Sequence, residues 1–279
     1  GAGDHWYRTS TSGDWQRLLR QTTTQAPSAG DQLILVGEHT AAATNTTHVV
    51  TINTTAVTDY GNVIINEKSE LKLATAAATD YKFQNSDEFR VVSGGKYTLG
   101  TSGTPLPSDS TFEHIIDCTS AGEFGITIWD AGEWTAFGDS KTAYTHLAST
   151  IAAAATALTV GSTSGWLDTD DVGLTGTGRT NVFPHECEDK AVSSIDSGTT
   201  LTLASGTTYA HDGGASGARG HVANLTRNIS IRGASASNSS WVKLKSGGTA
   251  TVNLGWVQFR YMGRNTSDEY GFHVDNQAT

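Results

Sequence analysis

The chain has 279 residues, with seven Trp, eight Tyr and eight Phe, so it can bury a sizeable core and does not have the composition of a disordered protein. Roughly one residue in seven is Thr and there are 31 Gly, a mixture that favours many short strands and tight turns. The formal net charge of −10 argues against a nucleic-acid partner, and no apolar run approaches the roughly 18 residues of a membrane-spanning helix.

The first 30 residues are predicted to form an N-terminal cap with a short helix. Over residues 14–20, Trp15, Leu18 and Leu19 fall at the i, i+3, i+4 spacing of one helical face. Pro27 and Gly30 then close the segment. The strands predicted after this cap, at intervals of about ten residues, span 31–36, 48–53, 62–66, 70–74, 89–92, 96–99, 113–117 and 125–129.

These strands are predicted to wind into a right-handed parallel β-helix. They are short, they carry apolar pairs on one face, and glycine-bounded stretches such as GKYTLG and AGEWTAFG resemble successive coil corners. We predict β-helix coils over 31–144 and again over 211–279. The longer polar loops between them predict a small inserted β-domain over 145–210.

Two groups of side chains have the chemistry of a reactive or metal-binding site. Near the end of the chain, His273 and Asp275 alternate on one strand face beside Tyr270, so they are candidates for acid–base catalysis. The metal candidates are Asp168 and Asp170, whose carboxylates suit calcium, and the pair His185 and Glu186. Calcium is the one cofactor that this pattern leaves open; a solvated turn is the simpler interpretation.

Cysteines and sequons supply candidate sites of disulfide bonding and glycosylation. Cys118 and Cys187 are the chain's two cysteines and are candidates for one disulfide, with two separate thiols as the alternative. Six Asn-x-Ser/Thr sequons occur in a Thr-rich chain, a modest excess over chance. These candidate glycosylation sites are Asn45, Asn53, Asn224, Asn228, Asn238 and Asn265.

Aromatic and basic side chains are the candidate glycan contacts. Sugar rings present apolar faces that stack on aromatic rings, which makes Trp129, Trp134 and Trp166 candidates, whereas Trp256 lies in an apolar context and is predicted to belong to the core. Basic residues are concentrated in the last predicted coils, where one wall of a solenoid could collect them. The candidates there are Arg227, Arg260 and Arg264.

The sequence resembles the extracellular G-eight (eight-glycine) domain and the β-helix that follows it, as found in cell-surface hyaluronidase and fibrocystin-like proteins. The matching stretches include PSAGDQLILVGEHT, VVSGGKYTLGTSGTPLP, HVANLTRNISIRG and GWVQFRYMGRNTSDEYGFHVDN. The resemblance implies an extracellular β-helix with an inserted domain and an affinity for polysaccharide. Hyaluronan-cleaving relatives are expected to carry Tyr-Pro-x-His-x-His, whereas this chain has Tyr270-Gly-Phe-His273-Val-Asp275.

Three functions remain open at this point. The first is an extracellular or cell-surface module that binds glycan, either alone or stacked end to end into a fibre or layer. The second is a polysaccharide-degrading enzyme of hyaluronidase-like type, which the altered His273–Asp275 cluster disfavours. The third is a virion or tail-fibre structural subunit, since an open-ended β-solenoid is a template for stacking.

Overall fold

The structure is a computed structural model that describes residues 5–7, 16–18, 32–35, 48–117, 125–177, 186–214, 219–245, 249–263 and 271–274. Regular structure within these ranges consists entirely of β-strands. None of the residues described forms a helix long and apolar enough to cross a membrane.

Short strands follow one another along the described ranges. In chain order, the first thirteen are β1 (His5–Tyr7), β2 (Gln16–Leu18), β3 (Leu33–Leu35), β4 (His48–Ile52), β5 (Asp59–Tyr60), β6 (Val63–Ile65), β7 (Ser69–Leu73), β8 (Asp80–Asn85), β9 (Phe89–Val91), β10 (Lys96–Leu99), β11 (Thr111–Ile116), β12 (Ile126–Ile128) and β13 (Glu133–Phe137). The remainder are β14 (Tyr144–His146), β15 (Ala157–Thr159), β16 (Asp171–Leu174), β17 (Glu188–Ser197), β18 (Thr200–Leu203), β19 (His221–Asn224), β20 (Ile229–Gly233), β21 (Val242–Leu244), β22 (Thr251–Gly255), β23 (Val257–Arg260) and β24 (Phe272–Val274).

Three parallel sheets form the walls of a parallel β-helix, which confirms the predicted fold class. Sheet I is β4-β7-β10-β13-β22, sheet II is β5-β8-β11-β20-β23, and sheet III is β3-β6-β9-β12-β21-β24. Each coil contributes one strand to every sheet before the chain returns to the first, and all these pairings are parallel. The right-handed sense remains an expectation from the general rule for parallel crossovers.

Alternation along each strand fills the inside of the coils. In sheet III the register aligns Val63, Phe89, Ile126 and Val242, all buried, into one inward column. Intervening residues point outward because successive side chains of a strand lie on opposite faces. The core of the helix is therefore a stack of such columns.

Glycine is required at two stacked corners before sheet I. A Cβ atom at Gly95 would lie 2.3 Å from the carbonyl oxygen of Ile65, and one at Gly132 would lie 2.3 Å from that of Val91. Each carbonyl belongs to the preceding coil, so the absence of a side chain is what lets successive coils approach. The two stretches predicted as coil corners begin at or beside these glycines.

An antiparallel unit interrupts the helix between β13 and β20. Its strand order is β14-β19-β16-β17-β18-β15, and an antiparallel bridge between Leu147 and Val160 joins the two ends into a closed sheet. The unit has its own apolar core, which includes Trp166, Val172 and Leu201. We call β14–β19 and their loops the inserted unit.

Two sequence predictions are wrong in detail. Residues Gln16–Leu18 form a strand paired with β1, where the sequence predicts a short helix. Three apolar residues fit more than one periodicity, and an isolated single turn of helix is unstable compared with a paired hairpin. In addition, β19 belongs to the inserted unit although the sequence predicts coils beyond residue 210, because a four-residue strand does not encode its pairing partner.

Candidate functional site

A polar cleft of about 460 Å³ lies where the inserted unit meets sheet II. It is lined by Asp171, Asp189, Lys190 and Ala191 of the inserted unit, by Gln258 and Arg260 of sheet II, and by Leu225. Ligand sites in proteins commonly occupy about 300–1,000 Å³ and lie between domains. We call this space the junction cleft.

Strand register explains why these side chains converge. In the antiparallel pair β16–β17, Asp171 lies opposite Ala191 and Gly173 opposite Asp189, so both carboxylates lie on the same face, away from the apolar core that holds Val172. On β23, Gln258 and Arg260 alternate with Val257 and Phe259, which point into the coils. Gln258 and Arg260 therefore point outward, toward the cleft.

A buried ion pair fixes the inserted unit at the point where the chain enters it. Lys141 Nζ donates to Asp170 Oδ1 at 2.6 Å, and the two side chains are only 2% and 1% exposed. The other carboxylate oxygen of Asp170 accepts from Asn224 Nδ2 at 2.7 Å and from the Leu167 amide at 2.9 Å. The Asp170 carboxylate therefore connects the entry segment, which contains Lys141, to β16 and β19.

The exit from the inserted unit is fixed by Asn228. Its Nδ2 donates to the carbonyl oxygens of Leu106, Pro107 and Ser110 at 2.9–3.2 Å, and its Oδ1 accepts from the Asp139 amide at 2.9 Å. Close to the cleft, Gln258 Nε2 donates to the Leu225 carbonyl at 2.8 Å. Because both connections are tied to the coils, the junction cleft is preformed.

Half-exposed aromatic rings lie at both ends of β23. Trp256 is 37% exposed and carries the Arg227 guanidinium 5.5 Å from its ring centroid, while Tyr261 is 39% exposed with Arg260 at 5.6 Å. Both aromatics have positive φ, 57° and 52°, at coil corners. Exposed rings supported by guanidinium groups offer stacking surfaces beside the cleft.

A second polar cluster is buried inside the inserted unit. Burial would raise the pKa of Glu188, but hydrogen bonds from His211, the Thr208 amide, Lys190 and the Tyr209 amide lower it to about 2. His211 Nε2 lies 2.8 Å from Glu188 Oε1, and its Nδ1 lies 2.9 Å from the Thr175 carbonyl. Because both carboxylate oxygens of Glu188 accept hydrogen bonds from the protein, this cluster stabilises the inserted unit.

Most aromatic candidates are not available to a ligand. Trp134 is fully buried among the coils and Trp166 is 4% exposed in the core of the inserted unit, so neither can stack on a sugar. Trp129, 45% exposed, remains accessible at the corner after β12. The prediction that Trp256 is a core residue is wrong, since its ring reaches the surface beside Arg227.

The predicted reactive and metal-binding residues are only partly described. His273 lies on β24 facing outward, whereas Tyr270, Asp275 and His185 fall outside the described residues. Asp170 is unsuited to calcium because its oxygens already accept three protein donors, and Asp168 is exposed in the preceding turn. No group of three His, Cys, Asp or Glu side chains, Glu186 included, could hold a metal among the residues that the structure describes.

Of the basic candidates, Arg260 lines the junction cleft and Arg227 lies beside it, while Arg264 is outside the described residues. Cys187 is exposed. Because Cys118 also lies outside the described residues, the disulfide stays a prediction.

The candidate glycosylation sites differ in how far their Asn side chains are exposed. Asn224 and Asn228 are 3% and 6% exposed with their amides hydrogen-bonded, so the folded chain cannot accept a glycan there. Asn238 is half-buried and donates to Asp117, Asn53 is exposed, and Asn45 and Asn265 lie outside the described residues.

Sequence reasoning did not identify Asp171, Asp189, Gln258 and Tyr261 as residues of this site. The signal for Gln258 was the alternation in VQFR, which places it outward beside Arg260. No local signal could have placed Asp189 opposite them, because the two strands are about 70 residues apart in the chain and approach only through the fold.

Comparisons with known proteins identify no family. No family model matches the chain, and no curated protein matches it, so the G-eight resemblance stays a prediction. Among solved structures, the chain is similar to the Gp54 tailspike of Acinetobacter baumannii bacteriophage AP22, in complex with A. baumannii capsular saccharide. The identity is 11% and the TM-score 0.28, over 74% of this chain and 30% of the tailspike chain. The chain therefore spans less than a third of that protein, and the assignment as a parallel β-helix rests on the strand pairing described above.

Proposed function

We propose that the chain is a surface-exposed, non-catalytic glycan-binding module whose saccharide lies in the junction cleft. The observation that carries the proposal is the convergence of planar polar side chains, Asp171, Asp189, Gln258 and Arg260, beside exposed aromatic rings. Carboxylates, amides and guanidinium groups form paired hydrogen bonds with neighbouring hydroxyls, and aromatic faces cover the apolar side of a sugar ring. An extracellular or virion-surface location is part of the proposal.

An array of immobilised polysaccharides tests this function. We expect the protein to bind at least one of dextran, mannan, galactan or chitin, and the double variant Gln258→Ala/Arg260→Ala to bind about tenfold more weakly, since loss of one or two hydrogen bonds costs about 1–2 kcal/mol. The Lys72→Ala variant is the matched control, because Lys72 is an exposed cation on the outer face of sheet I. Failure to retain any polysaccharide, or equal weakening by Lys72→Ala, contradicts the proposal.

The hyaluronidase-like alternative makes a different prediction. If the His273 region were catalytic, incubation with hyaluronan would release new reducing or unsaturated ends, and His273→Ala would abolish their release. We expect no release from hyaluronan.

A further inference from the structure

A second polar cleft, of about 620 Å³, lies on the same wall of the helix as the junction cleft. It is lined by Thr55, Thr79, Asp80, Lys82 and Thr111, at the beginning of β8 and β11. Both strands belong to sheet II, as does β23, which lines the junction cleft. The two clefts are therefore openings on one surface.

A register column of outward side chains connects them. Lys82 pairs with Glu113, Glu113 with Ser230, and Ser230 with Gln258 across β8, β11, β20 and β23. Three strand steps of about 4.8 Å give a column roughly 14 Å long. Lys82 lines the second cleft and Gln258 the junction cleft, so the column begins in one and ends in the other.

A parallel column lies two residues further along each strand. It contains Gln84, Ile115, Arg232 and Arg260 in register. Arg232 Nε donates to Glu113 Oε1 at 2.5 Å, and this contact links the two columns. The side chain of Arg232 is 19% exposed and that of Glu113 is 31% exposed. The surface between the clefts is thus a strip two side chains wide that is polar except at the buried Ile115.

The charges along this strip do not add up to a positive surface. The two clefts and the columns between them carry three available basic residues, Lys82, Arg232 and Arg260, and four acidic ones, Asp80, Glu113, Asp171 and Asp189, because Lys190 is paired with Glu188 and the Gly206 carbonyl. A polyanion gains nothing from a strip without net positive charge and is repelled by a chain of net charge −10. A neutral chain of hydroxyl-bearing units fits this surface best.

We infer that the two clefts and the columns between them form one linear track for an uncharged polysaccharide several sugars long. This inference rests on the proposed glycan-binding function and adds the length and the charge of the ligand. The track crosses the strands of sheet II, so binding is shared along its length and a single sugar or disaccharide occupies only the junction cleft.

Chain-length dependence tests the track. The probes are fragments of two, four and eight sugars from whichever of dextran, mannan, galactan or chitin binds in the array, with hyaluronan octasaccharide as the acidic probe. We expect affinity to rise at least about tenfold from two to eight sugars, as added contacts of about 0.5–1.5 kcal/mol accumulate. Lys82→Ala should weaken the eight-sugar fragment about fivefold and leave the two-sugar fragment unchanged.

The controls separate failure of the track from failure of the function. Lys72→Ala, with the same charge change on sheet I, should bind every fragment like the wild type, and Lys82→Gln together with thermal unfolding of each variant checks that the fold is intact. Equal affinity for two and eight sugars, tighter binding of the hyaluronan octasaccharide, or no effect of Lys82→Ala on the long fragment overturns the track while binding in the junction cleft stands. No binding of any fragment overturns the proposed function itself.

Discussion

Replacing Asp170 with Asn is expected to destabilise the inserted unit by about 3–5 kcal/mol, the cost of removing one partner from a buried ion pair. Lys141 would keep its charge at 2% exposure without a carboxylate to compensate it. The new amide nitrogen would also face either Lys141 Nζ or the donors from Asn224 and Leu167, so no orientation of the substituted side chain satisfies all three contacts.

Urea unfolding followed by tryptophan fluorescence measures this loss, because Trp166 lies in the core of the same unit and its Nε1 donates to the Thr142 carbonyl. The coils and the inserted unit have separate apolar cores, so the prediction concerns the stability of the unit that holds Trp166. A shift of the urea midpoint without a change of slope would identify a pure change in stability.

Glu133→Gln is the matched control for that variant. Lys96 and Glu133 form an ion pair at 2.7 Å, nearly the same length as the buried pair, but their side chains are 46% and 43% exposed. Exposed pairs contribute about 0–1 kcal/mol because water solvates the charges in either state. Equal losses for Asp170→Asn and Glu133→Gln would show that burial does not govern the strength of this contact.

The coils were predictable because their residues repeat a simple rule. In the strand EWTAF, alternation places Trp134 and Ala136 on one face, and the same rule holds in the strands it pairs with. Applied strictly, that alternation would also have identified Trp134 as a core residue and removed it from the glycan candidates. Trp166 carries no such signal, since it lies in a loop where alternation is absent.

The junction cleft could be predicted only in part. Arg260 was identified from the concentration of basic residues late in the chain, but its acidic neighbours Asp171 and Asp189 come from strands of the inserted unit. Their approach depends on the ties made by Lys141, Asp170 and Asn228, and a buried Asn that binds three backbone carbonyls has the same sequence signature as a glycosylation sequon. Side-chain capture of backbone groups is decided by tertiary packing, which local patterns do not record.

A buried histidine makes the β-helix sensitive to acid. His114 is fully buried at an inward position of β11, packed against the rings of Phe83 and Phe89. Its Nδ1 lies 3.0 Å from the Tyr97 hydroxyl and its Nε2 lies 2.8 Å from Asn85 Oδ1. Burial raises the pKa of Tyr97 well above its usual value, so the hydroxyl stays protonated and donates to Nδ1, while Nε2–H donates to Asn85. The neutral ring therefore satisfies both contacts.

Burial lowers the pKa of His114 to about 3. Since the unfolded chain binds this proton near pH 6.5 and the folded chain does not until about pH 3, the unfolded state holds more protons throughout that interval. Stability is therefore fully present above about pH 6.5 and falls as the pH decreases, by up to about 5 kcal/mol at about 1.4 kcal/mol per pH unit. Carboxylates with lowered pKa, such as Glu188, add losses mainly below pH 4.5.

His114→Gln separates the histidine from these other groups. Glutamine can accept from Tyr97 and donate to Asn85 without titrating, so the variant should lose about 2 kcal/mol less than the wild type between about pH 6.5 and 4.5. The measurement is the urea unfolding free energy at half-unit pH steps, followed by tryptophan fluorescence, to which Trp134 and Trp241 in the core of the coils contribute. His221→Gln, at an exposed position of β19, should retain the wild-type pH dependence. Parallel curves for His114→Gln and the wild type would contradict the prediction. They would mean that His114 binds its proton in the folded protein at nearly the same pH as in the unfolded chain, despite its burial.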